Sequence, residues 1–134
     1  MLPLQLLVAL SGMALGYIEY RILRPAPLAE SLSWQALWQP ALILLVFTGF
    51  LEEWLFRGLL QTAARSVLGR LAIPYVSLVF TVVHFGYRSL PDLGFVFIVA
   101  MFFGYFAKRS GSILGVTLAH GLINISLYLI FPLL

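Results

Sequence analysis

ALILLVFTGFLEEWLFRGLLQTAAR, residues 41–65, is a long apolar run broken by two adjacent carboxylates and an arginine, Glu52, Glu53 and Arg57. As a helix rising about 1.5 Å per residue it is long enough to cross a hydrocarbon core of roughly 30 Å. Ionisable groups at that depth are costly unless they are paired or face water, so they read as functional by default. The rest of the chain is of the same kind: 62% hydrophobic, 10% charged, with a mean hydropathy of +1.03. A soluble domain carries about 25% charged residues, so the solvent of this chain is lipid. With no cysteine, disulfides, thiolate metal sites and a cysteine nucleophile are excluded. The net charge of +3 comes from Lys and Arg scattered at helix ends, which fits interfacial anchoring and not a nucleic-acid surface.

Outward from this run, the apolar segments are 2–20, 40–64, 71–87, 92–107 and 112–132. The expected fold is all-α, a polytopic membrane helix bundle of about five transmembrane helices forming a single transmembrane domain over 1–134. Strands of a β-barrel would alternate apolar and polar residues, and these runs do not. Trp34 and Trp38 suggest a short interfacial helix near 31–39, with Pro40 in the first turn of the second span. Pro91 and the 89–92 stretch form a tight connection. Lys108-Arg109-Ser110-Gly111 is a turn so short that the spans it joins should be antiparallel neighbours. Gly12-x-x-x-Gly16 and Gly111-x-x-x-Gly115-x-x-x-Ala119 mark close helix approaches, read as packing within the bundle. No Lys or Arg precedes the apolar run of 1–17, while Arg21 and Arg24 follow it. It therefore reads as a retained first transmembrane helix and not a secretory signal. An excess of one basic residue in the loops after the second and fourth spans favours a cytoplasmic N-terminus. Glu19 and Asp92 read as solvated anchors at a helix end and in a loop.

The only two histidines, His84 and His120, lie in the third and fifth apolar runs. Counted from one membrane face, Glu52 is ~12 Å from the end of its span near Leu60, His120 ~12 Å inside its span, and His84 ~18–20 Å inside. Two acids and two imidazoles thus fall at similar depth on three helices, as a shared site requires. Glu53 and Arg57 are four residues apart and can pair along one stripe. Glu52 is turned by about 100° and is left to face a cavity. His120 and Asn124 share a stripe, and so do Phe80 and His84. A carboxylate beside an imidazole can hold and deprotonate water. A second imidazole with a carboxamide can donate to a developing oxyanion. Alternatively, Glu52, His84 and His120 could ligate one divalent metal ion, zinc being the most plausible, with a position open for water.

Glu52-Glu53-x-x-x-Arg57, Phe80-x-x-x-His84 and His120-x-x-x-Asn124, in this order on successive helices, resemble the CPBP or Abi family. This is the family of CAAX prenyl proteases and bacteriocin-processing or immunity proteins, which includes the type II CAAX prenyl endopeptidases. Lys108-Arg109-Ser110-Gly111-Ser112-Ile113 resembles the lead-in to the last motif, and the resemblance covers a core of about 45–125. It implies intramembrane proteolysis with catalytic residues Glu52, His84, His120 and Asn124. Glu52 and His84 would activate water, His120 and Asn124 would bind the oxyanion, and Glu53, Arg57 and Phe80 would support them. Both metal-dependent and metal-free glutamate mechanisms are compatible with this set, and the metal-free one is preferred.

The implied partners are the bilayer and a membrane-associated peptide or lipidated protein, with a CAAX-type prenylated tail as the specific case. Family members often have about eight transmembrane helices against about five here, which gives an oligomer or partner subunit a place in the cavity. A non-catalytic immunity or scaffold protein of the same architecture is the alternative. A proton or ion pathway is disfavoured, because Arg57 would oppose cations.

Overall fold

The computed structural model describes residues 2–134 and is built from helices, with no strand among the described residues. The helices are α1 (Leu2–Leu23), α2 (Trp34–Ile43), α3 (Gln61–Leu68), α4 (Ala72–Val83), α5 (Leu90–Ser110) and α6 (Leu114–Ile125). Two π-helical segments, Leu44–Glu52 and Trp54–Leu60, join α2 to α3 without interruption. A third, Ser126–Ile130, prolongs α6. Four helical runs are long and apolar enough to cross a membrane: Leu2–Leu23, Trp34–Val83, Leu90–Ser110 and Leu114–Leu133. The run Trp34–Val83 turns back on itself at Gly69, whose φ of 54° ends α3. Phe56 accordingly meets Phe80, and Glu52 meets His84, pairs placed symmetrically about Leu68. The protein is a multi-pass integral membrane protein, and its outer surface carries Leu7, Leu10, Phe47, Leu59, Val82 and Ile98, as a lipid-facing surface must.

Three sequence expectations need correction. The interfacial helix near 31–39 is not separate. Ser33 caps a helix that starts at Trp34, its hydroxyl accepting from the Ala36 N–H at 3.4 Å, and the helix runs on into the second span. Pro40 therefore lies inside that helix and not in its first turn. The last is Gly111, which makes no close approach. It ends α5 at φ 66°, a left-handed conformation that favours glycine, and its side has open space around it.

The other small residues do let helices touch. A Cβ on Gly12 would collide with the Ala119 carbonyl oxygen, and one on Gly16 would stand 2.7 Å from that of Ile123. The Gly12-x-x-x-Gly16 face of α1 thus packs against α6 inside the bundle, running parallel to it. Buried Val8, Phe103, Val116, Ala119 and Ile123 fill the core there. A second core, Phe56, Val76, Phe80, Val96 and Ala100, lies between the hairpin and α5. The cluster of polar side chains sits where these two cores meet.

Candidate active site

Glu53 and Arg57 lie one turn apart, and both are shut away from solvent, at 0% and 4% exposure. Arg57 Nη1 donates to Glu53 Oε1 at 3.0 Å, and Nη2 donates to the Ala100 carbonyl at 3.3 Å. One turn further on, Gln61 Nε2 donates to the Gly104 carbonyl at 2.9 Å. Glu53, Arg57 and Gln61 form a polar stripe whose last two members bond α5. The Arg57 guanidinium also stacks over the Phe80 ring, 4.3 Å from its centroid, so the cation is held by an anion, a carbonyl and a π face.

Glu53 has a second partner that the spacing of motifs did not indicate. His120 Nδ1 lies 2.7 Å from the same Oε1 that receives Arg57. A carboxylate oxygen accepts, so Nδ1 carries the proton, and the imidazole is fixed with Nε2 facing the opposite way. Glu52 Oε2 is 3.8 Å from that Nε2. A rotation about the helix axis separates the two acids. Glu53 points into the protein, and Glu52 points into a cavity of about 230 Å³ lined also by Thr48, Phe80, His84, Phe103, His120 and Asn124.

His84 is placed by the end of α4. Its backbone N–H donates to the Thr81 carbonyl at 3.0 Å, three residues back, which leaves the Phe80 carbonyl without its helical donor. The His84 ring takes that role, with Nδ1 2.7 Å from the Phe80 oxygen. Again the carbonyl can only accept, so Nδ1 is the protonated nitrogen, and Nε2 faces Glu52 Oε2 at 3.7 Å. Phe80 supports both imidazoles, with ring centroids 4.3 Å from His84 and 5.8 Å from His120. Asn124 donates from Nδ2 to Thr48 Oγ1 at 2.8 Å, while Thr48 donates to the Leu44 carbonyl at 2.5 Å.

The structure therefore brings Glu52, His84, His120 and Asn124 around one cavity, with Glu53, Arg57 and Phe80 packed directly behind. Sequence reasoning missed Thr48 and Gln61. Each carries a weak signal: Gln61 is one turn beyond Arg57 on its stripe, and Thr48 is a polar residue one turn before Glu52 in an otherwise apolar run. It also misjudged Glu19 and Asp92. Both are buried and line this cavity instead of standing in water. Both helices run further than expected: α5 starts at Leu90, two residues before the expected boundary, which carries Asp92 into its first turn, and α1 runs on to Leu23, which leaves Glu19 within the helix.

Metal ligation is testable on the donor set. Tetrahedral ligation at roughly 2.0–2.1 Å brings donor atoms to about 3.4 Å from each other. Glu52 Oε2 stands 3.7 and 3.8 Å from the two Nε2 atoms. Among the described residues no three His, Cys, Asp or Glu side chains form a group able to hold a metal ion. The set as arranged is wider than a zinc centre by about 0.3–0.4 Å on its Glu52 edges, about 3.4 Å being the tetrahedral value.

Residues 33–126 match the sequence profile of the family described as type II CAAX prenyl endopeptidase Rce1-like. The chain belongs to that family. The matched stretch contains every side chain of the cluster, from Thr48 to Asn124. Membership in this Rce1-like family, with four helical runs long and apolar enough to span a membrane, makes the chain a membrane-embedded member of a protease family. No curated protein and no solved structure matches the chain.

Proposed function

We propose that the protein is an intramembrane endopeptidase that cuts peptide bonds near the bilayer with a water molecule activated by Glu52 and His84. The observation that carries this reading is the gap between them. Glu52 Oε2 and His84 Nε2 both accept hydrogen bonds, since the proton of His84 is on Nδ1, and at 3.7 Å they are too far apart to bond directly. One water donating a hydrogen to each satisfies both, which is the position of a nucleophile about to lose a proton.

In the proposed reaction the water oxygen attacks the scissile carbonyl carbon and Glu52 takes its proton. The carbonyl oxygen becomes an oxyanion, stabilised by His120 Nε2–H and by the second Nδ2 hydrogen of Asn124, whose first is held by Thr48. His120 acts here as an imidazolium, with Glu53 supplying the counter-charge through Nδ1. Arg57 holds Glu53 in place through its own bond to Oε1. Collapse of the intermediate breaks the C–N bond, and Glu52 returns its proton to the departing amine nitrogen. In this state the two carboxylates, Glu52 and Glu53, balance Arg57 and the imidazolium of His120, so the cluster carries no net charge.

A CAAX-type prenylated tail is the substrate that the family suggests. The test is cleavage by purified protein of matched peptides with and without a prenylated cysteine, before and after exhaustive chelation. The expected result is cleavage that survives chelation. Activity that disappears with the chelator and returns with zinc contradicts the metal-free mechanism.

A further inference from the structure

The cavity extends beyond the Glu52–His84–His120 cluster towards the end of the bundle where α1, α4 and α6 finish and α5 begins. Two more carboxylates line it there, Glu19 and Asp92, beside Tyr87 and Tyr128. Asp92 is 2% exposed, and its Oδ1 has no hydrogen-bond partner among the described residues. Neither acid has a Lys, Arg or His nitrogen within 4 Å among those residues. No Lys or Arg lines the cavity, and Arg57, Arg65 and Lys108 line a separate groove.

Two acids that share an apolar cavity repel each other and any anion, and a cation between them is the partner that favours the ionised form of both. Because they share the cavity of the water-activating pair, whatever completes them enters with the substrate. We propose that Glu19 and Asp92 form a subsite that takes a lysine or arginine side chain of the substrate peptide, close to the bond that is cut. This rests on the protease reading and adds to it a substrate class. An acidic side chain or a free C-terminal carboxylate placed here meets two carboxylates and no Lys or Arg in the lining, so peptides that place one there are poor substrates.

The test uses a fluorescent peptide series with an apolar anchor, identical except for lysine, norleucine or glutamate at a single position scanned along the segment after the anchor. Binding is read by anisotropy on full-length Glu52→Gln protein, and cleavage is read on the wild type. At the position that meets the subsite, the lysine peptide is expected to bind about tenfold more tightly than the norleucine peptide, and the glutamate peptide more weakly than both. Adding Asp92→Asn or Glu19→Gln, each close to isosteric, should bring the lysine peptide down to the norleucine value. Equal binding across the series, a lysine preference that persists in both variants, or no peptide binding at all overturns the proposal. A lysine preference in binding without any cleavage by the wild type supports the subsite and removes the protease reading, so the two failures are distinct.

Discussion

Glu53 Oε1 receives two donors at once, Arg57 at 3.0 Å and His120 at 2.7 Å, in a place closed to solvent. Removing one member of such a buried set leaves a charge without a partner, which costs about 3–5 kcal/mol. Arg57→Met should therefore lower the unfolding free energy by that order. Arg57→Met combined with Glu53→Gln should recover a large part of the loss, as read from denaturant melts of the detergent-solubilised protein. Thr48→Val keeps the shape of the side chain and removes the acceptor that orients Asn124. Its expected effect is a fall in kcat of about tenfold or more with little change in KM, because the oxyanion donor is lost only where charge develops. At this scale the acids, imidazoles and Asn124 were legible in the sequence, since polar side chains in apolar runs announce themselves. The His120–Glu53 bond was not, because it joins two motifs and depends on how the helices are rotated. The burial of Glu19 and Asp92 was hidden for the same reason, each lying near a helix end where water is the ordinary surround.

Glu52 ends one π-helical segment and Glu53 stands between it and the next, Trp54–Leu60, whose turns are wider than those of an α-helix. Nothing in residues 44–60 announces this locally, as the same apolar residues make an ordinary α-helix equally well, and the departure comes from packing against α6 and α5. Helix existence and order were legible from hydropathy. Helix ends were less so: the second span reaches from Trp34 to Leu68, because Ser33 supplies a cap that a Trp-rich interfacial reading discounted. The contact of α1 with α6 depends on bare backbone at Gly12 and Gly16. Gly16→Val places a methyl-bearing carbon 2.7 Å from a carbonyl oxygen that cannot move without its helix. It should destabilise the protein by about 1–3 kcal/mol or more, seen as a lower melting temperature. Gly94→Ala, with open space around it, should leave stability the same or slightly higher.

Across the whole molecule, the helices surround a cavity with acids at one end and, separately, a groove with Arg57, Arg65 and Lys108 on the far side of the cluster. The family and the all-helical membrane fold were legible in the amino-acid sequence, because three spaced motifs on apolar runs leave few other solutions. The shape and charge of the cavity were not, because its walls come from α1, α4, α5 and α6 at once. The proposed chemistry turns on Glu52 as the base that activates water in this cavity. It is tested most directly by single-turnover cleavage of one peptide substrate by wild-type and Glu52→Gln protein reconstituted side by side in liposomes, with peptide binding measured on both. The expected result is equal binding with cleavage slowed by about a thousandfold or more, the loss of the general base that faces His84. Cleavage by Glu52→Gln at the wild-type rate would contradict it.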